Sequence, residues 1–145
     1  FDLMYDDYSP ILQKMKEKML KISTYDSENI VATLINDICK SRQFGLLSFK
    51  FNYPLRKIIN LERITDIEDR NFILAPGTHC DFVIFNELNK RVILIVEVDG
   101  KQHEKTIQKQ RDERKDRIIT SSGLKLVRIK TTDLKAKEKI ECKLP

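Results

Sequence analysis

A chain of 145 residues holds one domain and leaves little room for a second. With 41% hydrophobic residues it can build an ordinary core, while 34% charged residues give it a densely ionised surface and a net charge of +5 gives it a modest pull toward polyanions. Cys39, Cys80 and Cys142 are scattered without a CxxC pair, which argues against a disulfide framework or a structural zinc site, and the longest apolar run, Val92 to Val96, is far too short to span a bilayer, so a reducing, cytoplasmic setting with no membrane is expected.

The chain begins at Phe1 with an acidic, polar stretch that is no signal peptide, and it reads as an excerpt of a longer protein. Ser9-Pro10 is a good helix start, and Leu12, Met15, Met19 and Ile22 follow at helical spacing. Residues 1–24 are therefore expected to form a leader helix joined to a parent protein, and 25–145 the functional domain. Asp26 or Ser27 is expected to cap a second helix, with Glu28 in its first turn and an apolar stripe of Ile30, Val31, Leu34, Ile35 and Ile38. Gly45 to Asn52 reads as a strand. Residues 53–78, with Pro54 near one end and Pro76-Gly77 near the other, read as connections and a flexible edge, with short elements at Leu55 to Ile59 and at Ile73.

Cys80 to Phe85 and Arg91 to Val98 have strand composition, and the turn Asn86 to Lys90 joins them as a hairpin. Asp99-Gly100 ends the second strand. A long charged helix from His103 to Ser122 follows, stopped by Gly123, and Leu124 to Ile129 is a last strand before a short polar helix or tail from Asp133. The expected fold is α/β (α+β), a central mixed sheet flanked by helices.

The chemistry concentrates at the open end of the hairpin. A turn symmetric about Asn89 sets Phe85 opposite Ile93, Val83 opposite Ile95, Asp81 opposite Glu97 and His79 opposite Asp99, all on one face. That face is apolar near the turn and ionisable at the far end. Like charges placed opposite each other destabilise a sheet, so Asp81 against Glu97 with Asp99 beside them needs a reason. A hard divalent cation supplies one, because magnesium takes clustered carboxylate oxygens and can then polarise a phosphate and activate a water. The only histidines, His79 and His103, flank the cluster and could relay a proton. The bland reading is that strand ends commonly carry acids and that Asp-Gly is an ordinary turn.

The segment Lys101 to Arg117 holds seven basic and four acidic residues. It is either a solvated face laced with i,i+4 ion pairs or a helix that offers Lys105, Lys109, Arg111 and Lys115 to phosphates. Aromatic residues are sparse in it, so stacking on single-stranded bases is not indicated there.

The segment Thr78 to Ile84 (THCDFVI), followed by Val96 to His103 (VEVDGKQH), resembles the PD-(D/E)XK nuclease superfamily. The similarity is to branches that carry an E-x-D-G-x-x-H signature and are related to the very-short-patch repair endonucleases. Asp112, Lys115, Ile119, Gly123 and Val127-Arg128 match the downstream helix and strand pattern of those branches, and the helix bearing Glu28 is similar to their acidic first helix. The resemblance covers roughly residues 26–132. It implies a restriction-endonuclease-like αβββαβ core in which Asp81 and Glu97 bind Mg2+ (or Mn2+), with the carbonyl of Val98 as a third ligand and Asp99 as a further candidate. The superfamily's lysine, two residues after the glutamate, is replaced here by Asp99, so the water-activating group is open among Lys101, His103 and Lys115. The expected function is metal-dependent phosphodiester hydrolysis of nucleic acid, DNA first, in repair, restriction or helicase-associated processing. A non-catalytic nucleic-acid-binding domain and a docking module of a larger DNA-handling protein are the alternatives.

Overall fold

The computed structural model of the protein describes residues 19–41, 46–99, 106–130 and 132–145. Its elements in chain order are helix α1 (Asp26–Lys40), strand β1 (Leu47–Pro54), 3-10 turns at Leu55–Lys57 and Leu61–Arg63, helix α2 (Ile67–Leu74), strands β2 (His79–Asn86) and β3 (Val92–Asp99), helix α3 (Thr106–Ser121), strand β4 (Leu126–Lys130) and helix α4 (Ala136–Glu141). The four strands lie side by side in chain order. The first two pairings are antiparallel and β3–β4 is parallel, so the sheet is mixed. This is the α+β arrangement the sequence implies, in the order αβββαβ, with α2 inserted before β2 and α4 appended.

Helices cover both faces. The apolar stripe of α1 (Val31, Ile35 and Ile38) meets Phe82 and Ile84 of β2, Leu94, Val96 and Val98 of β3, and Ile129 of β4. On the other face Ile118 and Ile119, near the end of α3, pack with Val83, Ile95 and Cys80, and with Leu55, Ile59 and Ile73. Alternation along β2 and β3 sorts their side chains between the two clusters. Gly123 ends α3 with φ +83°, the left-handed geometry that favours glycine, and Leu124 N–H reaches back to the Ile119 carbonyl at 3.3 Å.

Several expectations change. The helical reading of residues up to 24 fails over its described part: 19–25 is not helical but lies along α1, where Leu20 N–H donates to Thr33 Oγ1 (3.0 Å) and Ile22 N–H to Asn29 Oδ1 (2.9 Å). Ser9, Pro10, Leu12 and Met15 lie outside the described residues. Tyr25, not Asp26 or Ser27, stands at the N-cap of α1, without a side-chain cap bond. Residues 53–78 are no loose edge: the short elements expected at Leu55 and at Ile73 are a 3-10 turn and α2, and Leu55, Ile59 and Ile73 are buried. Asp66 starts α2 by accepting from Glu68 N–H (2.8 Å) and Asp69 N–H (3.1 Å). The C-terminal helix is polar along its length yet buries Ala136 and Ile140, with Leu144 beyond it, in the α1-side core.

The hairpin register holds at Val83↔Ile95 but slips nearer the turn, where Phe85 pairs with Val92 rather than Ile93. A bulge between Ile84 and Phe85 absorbs the extra residue, and Ile93 accordingly packs on the α1 side while Val92 takes the α3 side. Lys90 in the turn has φ +62°, and Asn86 Oδ1 accepts from Leu88 N–H at 2.9 Å.

Candidate functional site

The regular β2–β3 ladder stops at Phe82↔Val96. Asp81 and Glu97, and His79 and Asp99, are therefore not backbone-paired as the symmetric turn implies. Side chains complete the hairpin instead. Asp81 N–H donates to Glu97 Oε2 at 2.8 Å, and Val98 N–H donates to Asp81 Oδ2 at 2.8 Å. The β1–β2 ladder is also irregular here: Phe51↔Phe82 and Tyr53↔Cys80 pair on either side of Asn52, which adopts φ +52°. Residues two apart on a strand normally share a face, yet Phe82 joins the α1-side core and Cys80 the α3-side core. The strand is re-aimed at Asp81, so the acid sits where the sheet's own hydrogen bonding is broken.

Glu97 is 1% exposed, and Lys115 reaches it from α3. Lys115 Nζ donates to Glu97 Oε1 at 2.8 Å and to the His79 carbonyl at 2.8 Å. Burial pushes the Glu97 carboxyl up to about 7 against the pull of the Lys115 ammonium. Burial alone would lower the Lys115 ammonium, but the charge and hydrogen bond of Glu97 outweigh it and hold it above its ordinary value. The second oxygen of Asp81 has no hydrogen-bond partner among the described residues. Beside the pair, burial and the Glu97 charge push the Cys80 thiol up to about 12, which removes it as a nucleophile near neutral pH.

Asp99 is engaged elsewhere. Arg128 of β4 donates from Nη1 to Asp99 Oδ1 at 2.7 Å and grips both oxygens of Asp116 on α3, at 2.8 Å from Nε and 2.6 Å from Nη2. One oxygen of Asp99 is thus held by Arg128, which Asp81 and Glu97 do not touch by any hydrogen bond among the described residues. Among the described residues no three acidic, histidine or cysteine side chains group as a metal cage. What gathers is a pair of carboxylates and an ammonium.

The remaining expected residues fall as follows. His79 contributes its carbonyl to Lys115, and no side-chain hydrogen bond of its imidazole is seen among the described residues. Asp112 is buried and accepts from Gln108 Nε2 at 3.1 Å. Glu28 is half-buried in the first turn of α1, with no hydrogen bond or ion pair to the acid pair. Lys109 and Arg111 are exposed on α3, with Arg111 over the Phe72 ring at 5.8 Å. Lys115 does not lie on that solvent face, because its ammonium is committed to Glu97. Lys101, His103 and Lys105 lie outside the described residues.

Two contacts had no signal in the sequence. Asp116 is the second grip of Arg128, and Asp69 of α2 takes a double hydrogen bond from Arg117 (3.0 and 2.7 Å) that ties α2 to α3. The Arg117 hydrogen bond holds the Asp69 carboxyl below its usual range against the effect of burial.

These features define an α+β domain in which a broken hairpin end, a crossover helix and the last strand converge on one charged centre. Residues 55–144 match the family described as a protein of unknown function (DUF2726). That is more than half of the chain, and the chain belongs to this family. The matched stretch takes in Asp81, Glu97, Asp99, Lys115 and Arg128, and leaves out α1 and β1. No curated protein matches the chain, and no solved structure matches it.

Proposed function

We propose that this domain is a divalent-metal-dependent nuclease of the restriction-endonuclease-like class, acting on nucleic acid with DNA as the expected substrate. The observation that carries the reading is the convergence of Asp81 and Glu97, Glu97 on the Asp81 amide and Asp81 on the Val98 amide, with the Lys115 ammonium 2.8 Å from Glu97. The donors fit Mg2+ or Mn2+ by their chemistry: two carboxylates, one with an oxygen lacking a hydrogen-bond partner among the described residues, next to the Val98 main chain, all hard oxygen ligands. A bound divalent ion would supply Lewis-acid polarisation of a phosphate and a water of lowered pKa.

The chain's own residues do the rest. Glu97 is fixed by the Asp81 amide and by Lys115, so its oxygens are oriented before any ligand arrives. Lys115 takes the part of the lysine that the strand lacks at Asp99, since its ammonium already lies against Glu97 and can steady charge on a phosphoryl oxygen. Arg128 neutralises Asp99 and keeps that carboxylate from adding to the repulsion met by a phosphate. A cytoplasmic location and a covalently linked helicase or other DNA-handling module go with this reading.

The test is incubation of the purified protein with plasmid and with single-stranded DNA plus magnesium or manganese, beside Asp81→Ala. Metal-dependent cleavage that disappears in Asp81→Ala, with DNA binding kept, is the expected result. Robust cleavage by Asp81→Ala would falsify the assignment. Salt-sensitive binding without any cleavage by the unmodified protein would replace it with the non-catalytic binding reading.

A further inference from the structure

The positive charges of α3 nearest the sheet are already spent: Lys115 on Glu97, Arg117 on Asp69, and Arg114 on Asp69 and Glu68. Other unspent cations stand on the sheet and its turns. Lys50 of β1, Lys57 after it and Lys90 in the hairpin turn are all exposed, and none pairs with a carboxylate among the described residues. All three stand over aromatic rings. Lys50 Nζ is 5.3 Å from the Tyr53 ring centre and 5.7 Å from that of Phe85. Lys57 Nζ lies 5.8 Å from Tyr53, and Lys90 Nζ 5.8 Å from Phe85.

This group shares the face of the acid pair. Lys50 pairs with Val83, which packs on the α3 side, and Phe85 lies two residues further along the same strand. Tyr53 also packs on that side and pairs with Cys80, the residue before Asp81. Two half-buried rings flanked by three unpaired ammonium groups thus lead along β1 and β2 from the hairpin turn to the carboxylates.

We infer that this lysine–aromatic surface seats a single-stranded segment of nucleic acid, with bases against Tyr53 and Phe85 and phosphates against Lys50, Lys57 and Lys90. The partner follows from the chemistry. Unpaired lysines select a polyanion, and half-buried rings whose neighbours are exposed ammonium groups can accept a base that is not paired in a duplex. A duplex keeps its bases stacked inside and would engage only the lysines. The inference deepens the nuclease reading by naming the form of the substrate, and it rests on that reading for the strand's chemical fate.

The experiment measures binding of a fluorescent single-stranded oligonucleotide, and of a duplex of the same length, by anisotropy across a salt series in metal-free buffer. The triple variant Lys50→Gln, Lys57→Gln, Lys90→Gln is expected to weaken single-strand binding about tenfold or more and to flatten the log–log salt slope by about 2. Tyr53→Leu with Phe85→Leu keeps apolar bulk and is expected to cost about fivefold or more on the single strand while sparing the duplex. Each single variant is read beside the pair so that a folding defect in the double variant does not decide the matter. Unchanged affinity and slope in the triple variant overturn the surface, and equal losses on single strand and duplex from the leucine variants overturn the single-stranded seat. Cleavage is scored separately with magnesium. Binding lost with these residues but no cutting by the unmodified protein leaves this inference and removes the nuclease reading, and cutting with binding unaltered does the reverse.

Discussion

Lys115 and Glu97 show how one buried contact sets both stability and chemistry. Glu97 has an ordinary carboxyl value of 4.5 and is pushed up to about 7 in the folded chain. The folded state therefore holds this proton more tightly than the unfolded state. The associated stability is full below about 4.5 and is lost as pH rises through about 7. Urea unfolding across that range should show a decline in the unmodified protein that Glu97→Gln flattens, and parallel pH profiles would refute it. Lys115→Met removes the cation that opposes the burial of Glu97. It should cost about 3 to 5 kcal/mol at pH 8, because breaking a buried pair strands the remaining charge, and less at pH 5, where Glu97 can take up a proton. Asp99→Asn keeps an acceptor for Arg128, so it should lower stability by only about 1 kcal/mol and leave cleavage within about tenfold. A complete loss of metal-dependent cleavage in Asp99→Asn would make Asp99 a ligand after all.

At the scale of elements, local signals decide what each segment becomes. Asp66 caps α2 through two amides, so Asp66→Ala should cost about 1 kcal/mol, read as a lower urea midpoint with unchanged slope. Lys90 holds φ +62°, which strains any L side chain, so Lys90→Gly should raise stability by about 0.5 to 1 kcal/mol in the same assay. The hairpin was legible because two runs of strand composition flank a polar turn, and a turn centred on Asn89 correctly set Val83 opposite Ile95. The bulge at Ile84/Phe85 was not, because no glycine or proline marks it. Helix α2 was read only as a short element at Ile73, because its eight residues carry no apolar stripe, although Asp66 followed by Glu68 and Asp69 offered a start signal. Lys115 was one of three candidates for the missing lysine, and sequence could not choose among them. Its contact with Glu97 spans 18 residues and depends on how α3 docks, which periodicity does not encode.

For the whole molecule, the family match and the core do not coincide. The match begins at residue 55, yet α1 supplies Val31, Ile35 and Ile38 to the core beneath Phe82, Ile84, Leu94 and Val96. Those three side chains contribute roughly 1.5 to 3 kcal/mol each. With β1 also gone, the loss rivals the roughly 5 to 15 kcal/mol by which such domains are stable. A fragment of 55–145 should therefore be unfolded or molten by near-UV circular dichroism and amide NMR dispersion, while 19–145 should fold cooperatively. A well-dispersed spectrum from the shorter fragment would show that α1 and β1 are dispensable additions.

The carboxylates that stitch the hairpin shut have a consequence for amide hydrogen exchange. The Asp81 and Val98 amides are held by side-chain oxygens, at 2.8 Å each, rather than by the neighbouring strand's backbone. Exchange protection at these two amides depends on the state of Glu97 and Asp81, whereas the Ile95 amide is held by the Lys125 carbonyl at 2.9 Å. A ligand that draws those oxygens away would speed deuterium uptake at Asp81 and Val98 alone. The sheet thereby carries its own reporter of occupancy, readable with a substrate that is never turned over.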